Sequence, residues 1–256
     1  MRILFCGCIY GAGNIGDDAI LSGFVNAFRK AVPAAELGAI SWNPAKTKPA
    51  LGLEQVWGMS RRDETAGIKW ATHVVLGGAT LISENPNIQY PLLHNCRLID
   101  KCVIYNRPVA LLGAGASDIY TDRARRLLRE RYEGKLDLIA VRSVHDRQQA
   151  VDGGGLCSES IQITADAAFA LPVQERCRWA PEGIVGVNLV GEREASAAFA
   201  DRVGAALRDF LAAVPDYRPV GVCSETRQEK GFDYFLTRST VQSVDPAAEL
   251  WSDYYS

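Results

Sequence analysis

Short apolar runs alternate with amphipathic stretches along most of this chain. Ile3 to Ile9 is apolar enough for a buried strand, and a glycine-rich turn separates it from residues 17–32, where Ile20, Leu21, Phe24, Val25 and Phe28 recur at helical spacing. Leu37 to Ser41 and Thr72 to Leu76 predict further strands, the second ending at Gly77-Gly78. Tyr90 to Tyr105 predicts a helix, and Pro108 to Leu112 a strand that stops at Gly113-Ala114-Gly115. An Arg-rich amphipathic helix follows at Asp122 to Tyr132, then a strand at Leu136 to Val141 and a helix at Ser143 to Asp152. Ile161 to Thr164 gives one more strand, with Asp166 beyond its carboxyl end. Continuously apolar strands alternating with helices describe an α/β protein, a Rossmann-like parallel sheet with helices on both faces.

The pattern lapses at Pro172 to Gly183, a polar stretch without a clean period, read as a linker over 172–183. It separates an N-terminal Rossmann-like domain, 1–171, from a partial C-terminal one, 184–256. In the latter, Ile184 to Val190 and Pro219 to Cys223 predict strands, Ala195 to Val214 and Arg227 to Thr237 helices, and Ala247 to Ser256 a last helix-like segment. This second unit is incomplete as a Rossmann-like fold. The closing aromatics Trp251, Tyr254 and Tyr255 pack either on a partner chain or on the chain's own core, the second being the expectation.

Composition narrows the classes. With 256 residues and 48% hydrophobic content the chain buries a core without staples. The net charge of -2 comes from 28 basic and 30 acidic residues without a block of one sign, which argues against a nucleic-acid partner. Seven cysteines, several inside apolar runs, read as reduced thiols and a cytoplasmic location. Cys6-x-Cys8 lacks the spacing of a zinc hairpin and has no histidine nearby, so no metal is expected. The apolar start is too short for a signal segment, and no run reaches the ~18 apolar residues of a membrane span. A lipid-linked substrate would be met at the membrane surface, and an oligomer is compatible with the sequence.

The candidate chemistry gathers at predicted strand ends. In Gly11-Ala-Gly-Asn-Ile-Gly-Asp-Asp18, Gly11, Gly13 and Gly16 let backbone N–H groups approach an anion at a helix N-terminus. The spacing is that of a dinucleotide fingerprint, yet two aspartates at the helix start repel a pyrophosphate, and Glu36 is a weak ribose ligand. Asn14, Asp17 and Asp18 can bind sugar hydroxyls, position a nucleophile, or cap the helix. Gly77-Gly78 and Gly113-x-Gly115 are either tight connections or parts of a shared crevice. Arg142 emerges from its strand where a guanidinium can take a carboxylate or phosphate bidentately, a surface salt bridge being the alternative. His145 follows three residues later.

Taken in order, these segments resemble the polysaccharide pyruvyl transferase family. Gly13-Asn-Ile-Gly-Asp-Asp-Ala-Ile-Leu21 matches its opening G-N-x-G-D-D/E-A motif, and Val75-Leu-Gly-Gly-Ala-Thr-Leu-Ile82 resembles G-G-G-S/T-L-L. Leu112-Gly-Ala-Gly115 falls at its glycine-rich strand end, while Val141-Arg-Ser143 and Thr164-Ala-Asp-Ala-Ala-Phe169 resemble V-R-D and T-A-D-P-A/V-F. Ala79, Ser143 and Ala167 replace the motif glycine, aspartate and proline, so the chain resembles a divergent member.

The resemblance implies a glycosyltransferase-B-like architecture and transfer of the enolpyruvyl carbons of phosphoenolpyruvate to two hydroxyls of a glycan or glycan precursor, with phosphate released. No cofactor is implied, phosphoenolpyruvate being the donor substrate. It further implies catalytic roles for Asp17 and Arg142, Arg142 on the donor anion, and substrate contacts from Gly13, Asn14, Gly16, Asp18, Gly77, Gly78, Thr80, Gly113, Gly115 and Asp166. Family members continue into an R-L-H-A/S motif whose histidine suits a general acid. Here His73, His94 and His145 all lie in the first half, none in that context. The alternatives are a truncated or repurposed member that binds a sugar or anion without turnover, and a nucleotide-dependent glycosyltransferase or dehydrogenase.

Overall fold

The computed structural model describes residues 1–84, 90–117, 119, 121–172, 183–189, 196–223 and 232–251. Strand β1 (Arg2–Cys6) leads through helix α1 (Ile15–Ala31) to β2 (Glu36–Ile40), α2 (Pro44–Leu51), β3 (Gln55–Trp57), α3 (Arg61–Trp70) and β4 (His73–Gly77). There follow β5 (Ile82–Ser83), α4 (Tyr90–Ile104), β6 (Val109–Ala114), β7 (Ala116–Ser117), α5 (Asp122–Leu127), β8 (Leu138–Val141), α6 (Val144–Asp152) and β9 (Ile161–Ile163). After these come β10 (Ile184–Val187), α7 (Ser196–Ala213), β11 (Arg218–Val222), α8 (Phe232–Val244) and β12 (Leu250–Trp251). Met1–Ala12 with Gly16–Pro172 form one compact unit, and Gly13–Ile15 with Val173–Ser256 the other. Of the linker expected over 172–183, residues 173–182 lie outside the described ones.

The first unit holds a seven-stranded parallel sheet in the order β3-β2-β1-β4-β6-β8-β9. The strand order reverses between β1 and β4, and every carboxyl end lies on one edge, the place where such sheets bind ligands. Alternation along β1 puts Ile3 and Phe5 in one core and Leu4 and Cys6 in the other. On the first face α1 buries Ile20, Leu21, Phe24 and Val25. Phe24 stacks on Phe5 with centroids 5.6 Å apart, and Phe28 meets the same ring edge-on at 5.2 Å. The opposite face collects Ile68 of α3, Leu98 and Ile99 of α4, Ala124 of α5 and Ala150 of α6. Helices thus cover both faces.

Several boundaries differ from the pattern. The apolar run to Ile9 ends as a strand at Cys6, because Gly7 turns the backbone to φ +95°. Between Trp42 and Ala71, where periodicity predicts nothing, lie α2, β3 and α3. Helix α2 buries only Thr47 and so carries no apolar stripe; Asn43 caps its start, Pro44 opens its first turn, and Gly52 at φ +57° ends it. The helix from Asp122 is α-helical to Leu127 and then widens into a π-helical turn, Leu128–Glu133, that buries Leu128 and Tyr132.

The second unit is a three-stranded parallel sheet, β10-β11-β12, whose core includes Val187, Leu189, Leu207, Leu236 and Val241. Its last described helix, Phe232–Val244, continues past the expected end at Thr237, and the expected start lies among residues 224–231, outside the described ones. The segment expected as a closing helix contains a strand instead: Leu250–Trp251 pairs with β11, and Gly221 donates its N–H to the Glu249 carbonyl at 2.9 Å. Bulky apolar and aromatic residues suit either element, and the free edge of β11 selects the strand. Tyr254 and Tyr255 lie outside the described residues. Among the described residues no helix is long and apolar enough to cross a membrane.

Candidate active site

The carboxyl edge of the large sheet is built from the turns the sequence singled out. After β1 the chain passes Gly11 at φ +72°, where any side chain would strike the Ser41 and Thr47 hydroxyls. That freedom lets the Gly11 N–H donate to Asp18 Oδ1 at 2.6 Å. Gly13, at φ +83°, and Asn14 precede α1, with Gly16, Asp17 and Asp18 in its first turn. Burial raises the Asp18 carboxyl above the usual range, the Gly11 N–H and Lys46 opposing the shift and Asp17 adding to it.

Asp17 is buried, and its Oδ1 accepts a hydrogen bond from the Cys8 thiol at 2.9 Å. Burial, reinforced by the Asp17 charge, pushes the Cys8 pKa well up, so the thiol keeps its proton and acts as donor. Nearby, the buried Tyr10 hydroxyl donates to the Gly77 carbonyl at 2.7 Å. Its pKa is raised by burial first and then by neighbouring charges that include Asp17 and Asp166. Charge in the first turn of α1 and in the loop after β9 therefore acts on one buried phenol.

The β4 and β6 ends contribute backbone. Gly77 lies against the Phe24 ring and Gly78, at φ +71°, against Ile20, so both glycines are required by the packing of α1. Ala79, where the family motif has a third glycine, sits at φ +49°, a conformation that disfavours a Cβ. Gly113, at φ +59°, faces the Ala165 carbonyl. At Gly115 a side chain would run into the Arg142 guanidinium.

Arg142 gathers the second half of the edge. Its Nη1 lies 3.4 Å from Asp166 Oδ2, its Nη2 3.5 Å from the Thr80 hydroxyl, and its Nε 3.6 Å from Asp146 Oδ2. Asp166 is itself anchored, Oδ1 accepting the Ala168 N–H at 3.0 Å as cap of a short 3-10 turn. The structure thus brings Thr80, Gly115, Arg142 and Asp166 into contact, and holds Asp17 and Asp18 through Cys8 and Gly11.

Three members of this edge escaped the sequence reading: Cys8, Tyr10 and Asp146. Only Asp146 left a signal, as the fourth residue of Ser143-Val-His-Asp146, a capping-box pattern at the start of α6. The histidines are elsewhere or exposed. His73 opens β4 at the opposite edge, His94 is buried in α4, and His145 is exposed in the first turn of α6. Among the described residues no group of three or more histidine, cysteine or carboxylate side chains is placed to hold a metal.

The family model for polysaccharide pyruvyl transferase matches residues 14–230 of this chain. No curated protein sequence matches it at a significant level. Among solved structures, a Listeria monocytogenes protein assigned as a UDP-N-acetylglucosamine 2-epimerase aligns with TM-score 0.60 and 11% identity, covering 99% of this chain and 69% of that one. The UDP-GlcNAc 2-epimerase of Neisseria meningitidis, bound to UDP-GlcNAc, aligns with TM-score 0.56 and 10% identity over 100% and 73%. The glycosyltransferase-B domain of a Photobacterium damselae sialyltransferase gives 0.53 and 10% over 100% and 82%. At such identities the likeness shows the fold: α/β, of the glycosyltransferase-B kind.

Proposed function

The chain belongs to the polysaccharide pyruvyl transferase family, and from that premise we propose that it moves the pyruvyl group of phosphoenolpyruvate onto a sugar of a glycan or glycan precursor as a cyclic ketal. The observation that carries the reading is the Arg142 corner: a guanidinium on the ligand-binding edge whose three polar neighbours stand at 3.4–3.6 Å. Contacts of that length are longer than the 2.7–2.9 Å optimum of charge-assisted bonds, so an incoming carboxylate or phosphate competes for the fork on favourable terms.

In the proposed reaction the methylene carbon of the donor takes a proton and its C2 becomes oxocarbenium-like. One sugar hydroxyl then bonds to C2, the C2–O bond to phosphate breaks, and the second hydroxyl closes the ketal. Of the two hydroxyl protons one balances the new methyl group and the other the released phosphate. Arg142 holds the donor anion, with Thr80 and Asp166 at its side. Asp17, oriented by Cys8, takes the acceptor hydroxyl's proton, and Asp18 binds acceptor hydroxyls.

A second reading is a member that binds donor and sugar without turning them over, the Arg142 corner serving as an anion-binding site alone. Phosphate release from phosphoenolpyruvate, measured with and without a panel of nucleotide-linked and lipid-linked sugars, separates the two. Acceptor-dependent release that disappears in Arg142→Ala supports transfer. Donor binding with no release across the panel supports the binding protein.

A further inference from the structure

Arg142 has two carboxylate neighbours, and they are held very differently. Asp166 sits in the loop after β9, with one backbone N–H on its Oδ1. Asp146 is 6% exposed and bound at three points. Its Oδ1 accepts the Ala116 N–H at 2.8 Å, its Oδ2 accepts the Ser143 hydroxyl at 2.5 Å, and its own N–H donates back to Ser143 Oγ at 3.0 Å. The same Oδ2 lies 3.6 Å from Arg142 Nε. Asp146 therefore ties together the start of β7, the start of α6 and the guanidinium lying over Gly115.

The V-R-D motif that Val141-Arg-Ser143 resembles has its acid directly after the arginine, and this chain has a serine there. We propose that Asp146 is the positioning residue of Arg142, supplying from one helical turn further on the fixed negative charge that the motif places at 143. A capping residue alone would need only the Ser143 hydroxyl and the Asp146 N–H. The observed carboxylate does more, because its oxygens reach the β6–β7 backbone and the guanidinium. Ser143 is then an intermediary: it caps α6 and holds Asp146 Oδ2 in place beside Nε.

The test follows the Arg142 side chain itself and so stands apart from whether pyruvyl transfer is the reaction. In the full chain labelled with nitrogen-15, the Arg142 Nε–H signal is identified by its loss in Arg142→Lys, and its hydrogen exchange is measured. Asp146→Asn, which keeps shape and removes charge, is expected to speed that exchange about tenfold, the scale of one charge-assisted contact. The exchanged pair Ser143→Asp with Asp146→Ser returns the acid to the motif position, and should restore the exchange rate to within about twofold of wild type. Ser143→Ala, which removes the capping hydroxyl and leaves the Asp146 charge, lowers the unfolding midpoint and changes the exchange rate less than Asp146→Asn does. An Arg142 signal unmoved by Asp146→Asn overturns the proposal, as does a folded exchanged pair that fails to restore it. Should Asp146→Asn fail to fold, the exchanged pair alone decides.

Discussion

Two charge clusters in the first unit make an instructive contrast. Around Glu64, which is fully buried between α3 and α4, the bonds are short: Lys101 Nζ stands at 2.7 Å and Arg97 Nη2 at 3.2 Å. Arg97 also donates to His94 Nδ1 at 2.8 Å, and since a guanidinium can only donate, that imidazole is neutral. Around Arg142, on the sheet's carboxyl edge, the neighbours stand at 3.4–3.6 Å. A cluster closed by short bonds onto one buried carboxylate holds two helices together. A cluster left loose at the edge can take a ligand.

Breaking the inner cluster should show the largest effect on stability. Glu64→Ala leaves the Lys101 and Arg97 charges without their buried partner and is expected to cost about 3–5 kcal/mol in urea unfolding. Arg142→Ala reverses the pattern. Acceptor-dependent phosphate release should fall about 100- to 1000-fold, the usual loss for a group that stabilises transition-state charge. Its unfolding free energy should fall by only about 1–2 kcal/mol, since its polar contacts are long, 3.4–3.6 Å, and its side chain is 33% exposed.

A pH series sharpens the contrast further. Burial, assisted by Arg97 and Lys101 and opposed by Glu64, lowers the His94 pKa from 6.5 to about 4. The unfolded chain takes up the proton first, so this contribution is fully present above about pH 6.5 and is lost as pH falls toward about 4. The expected loss is up to about 3 kcal/mol, and His94→Asn should flatten it. The smallest effect is expected at Ala79. Relief of its left-handed backbone in Ala79→Gly, partly offset by the greater freedom of glycine in the unfolded chain, should raise stability by no more than about 1 kcal/mol in the same urea assay.

Much of this edge was legible in the sequence, because strand ends and glycine turns are local signals. The run Leu138 to Val141 places Arg142 at a carboxyl end, and the glycines after β1, β4 and β6 mark where the backbone must turn. What escaped was non-local. Cys8 lies nine residues from Asp17, and only the turn between them brings thiol to carboxylate. Tyr10 meets Gly77 across 67 positions, and Glu64 meets Lys101 across 37. Helix α2 escaped for another reason: it buries one threonine, so caps and not periodicity define it. The closing strand at Leu250 depends on pairing with β11, which no local pattern records.

The claim that the loose cluster is the donor-anion site is tested most directly by titrating phosphoenolpyruvate into wild type and Arg142→Ala by calorimetry, with the unfolding midpoint of each measured alongside. Binding to wild type should weaken at least about tenfold in the variant while both proteins unfold cooperatively. Equal binding by both proteins would contradict it.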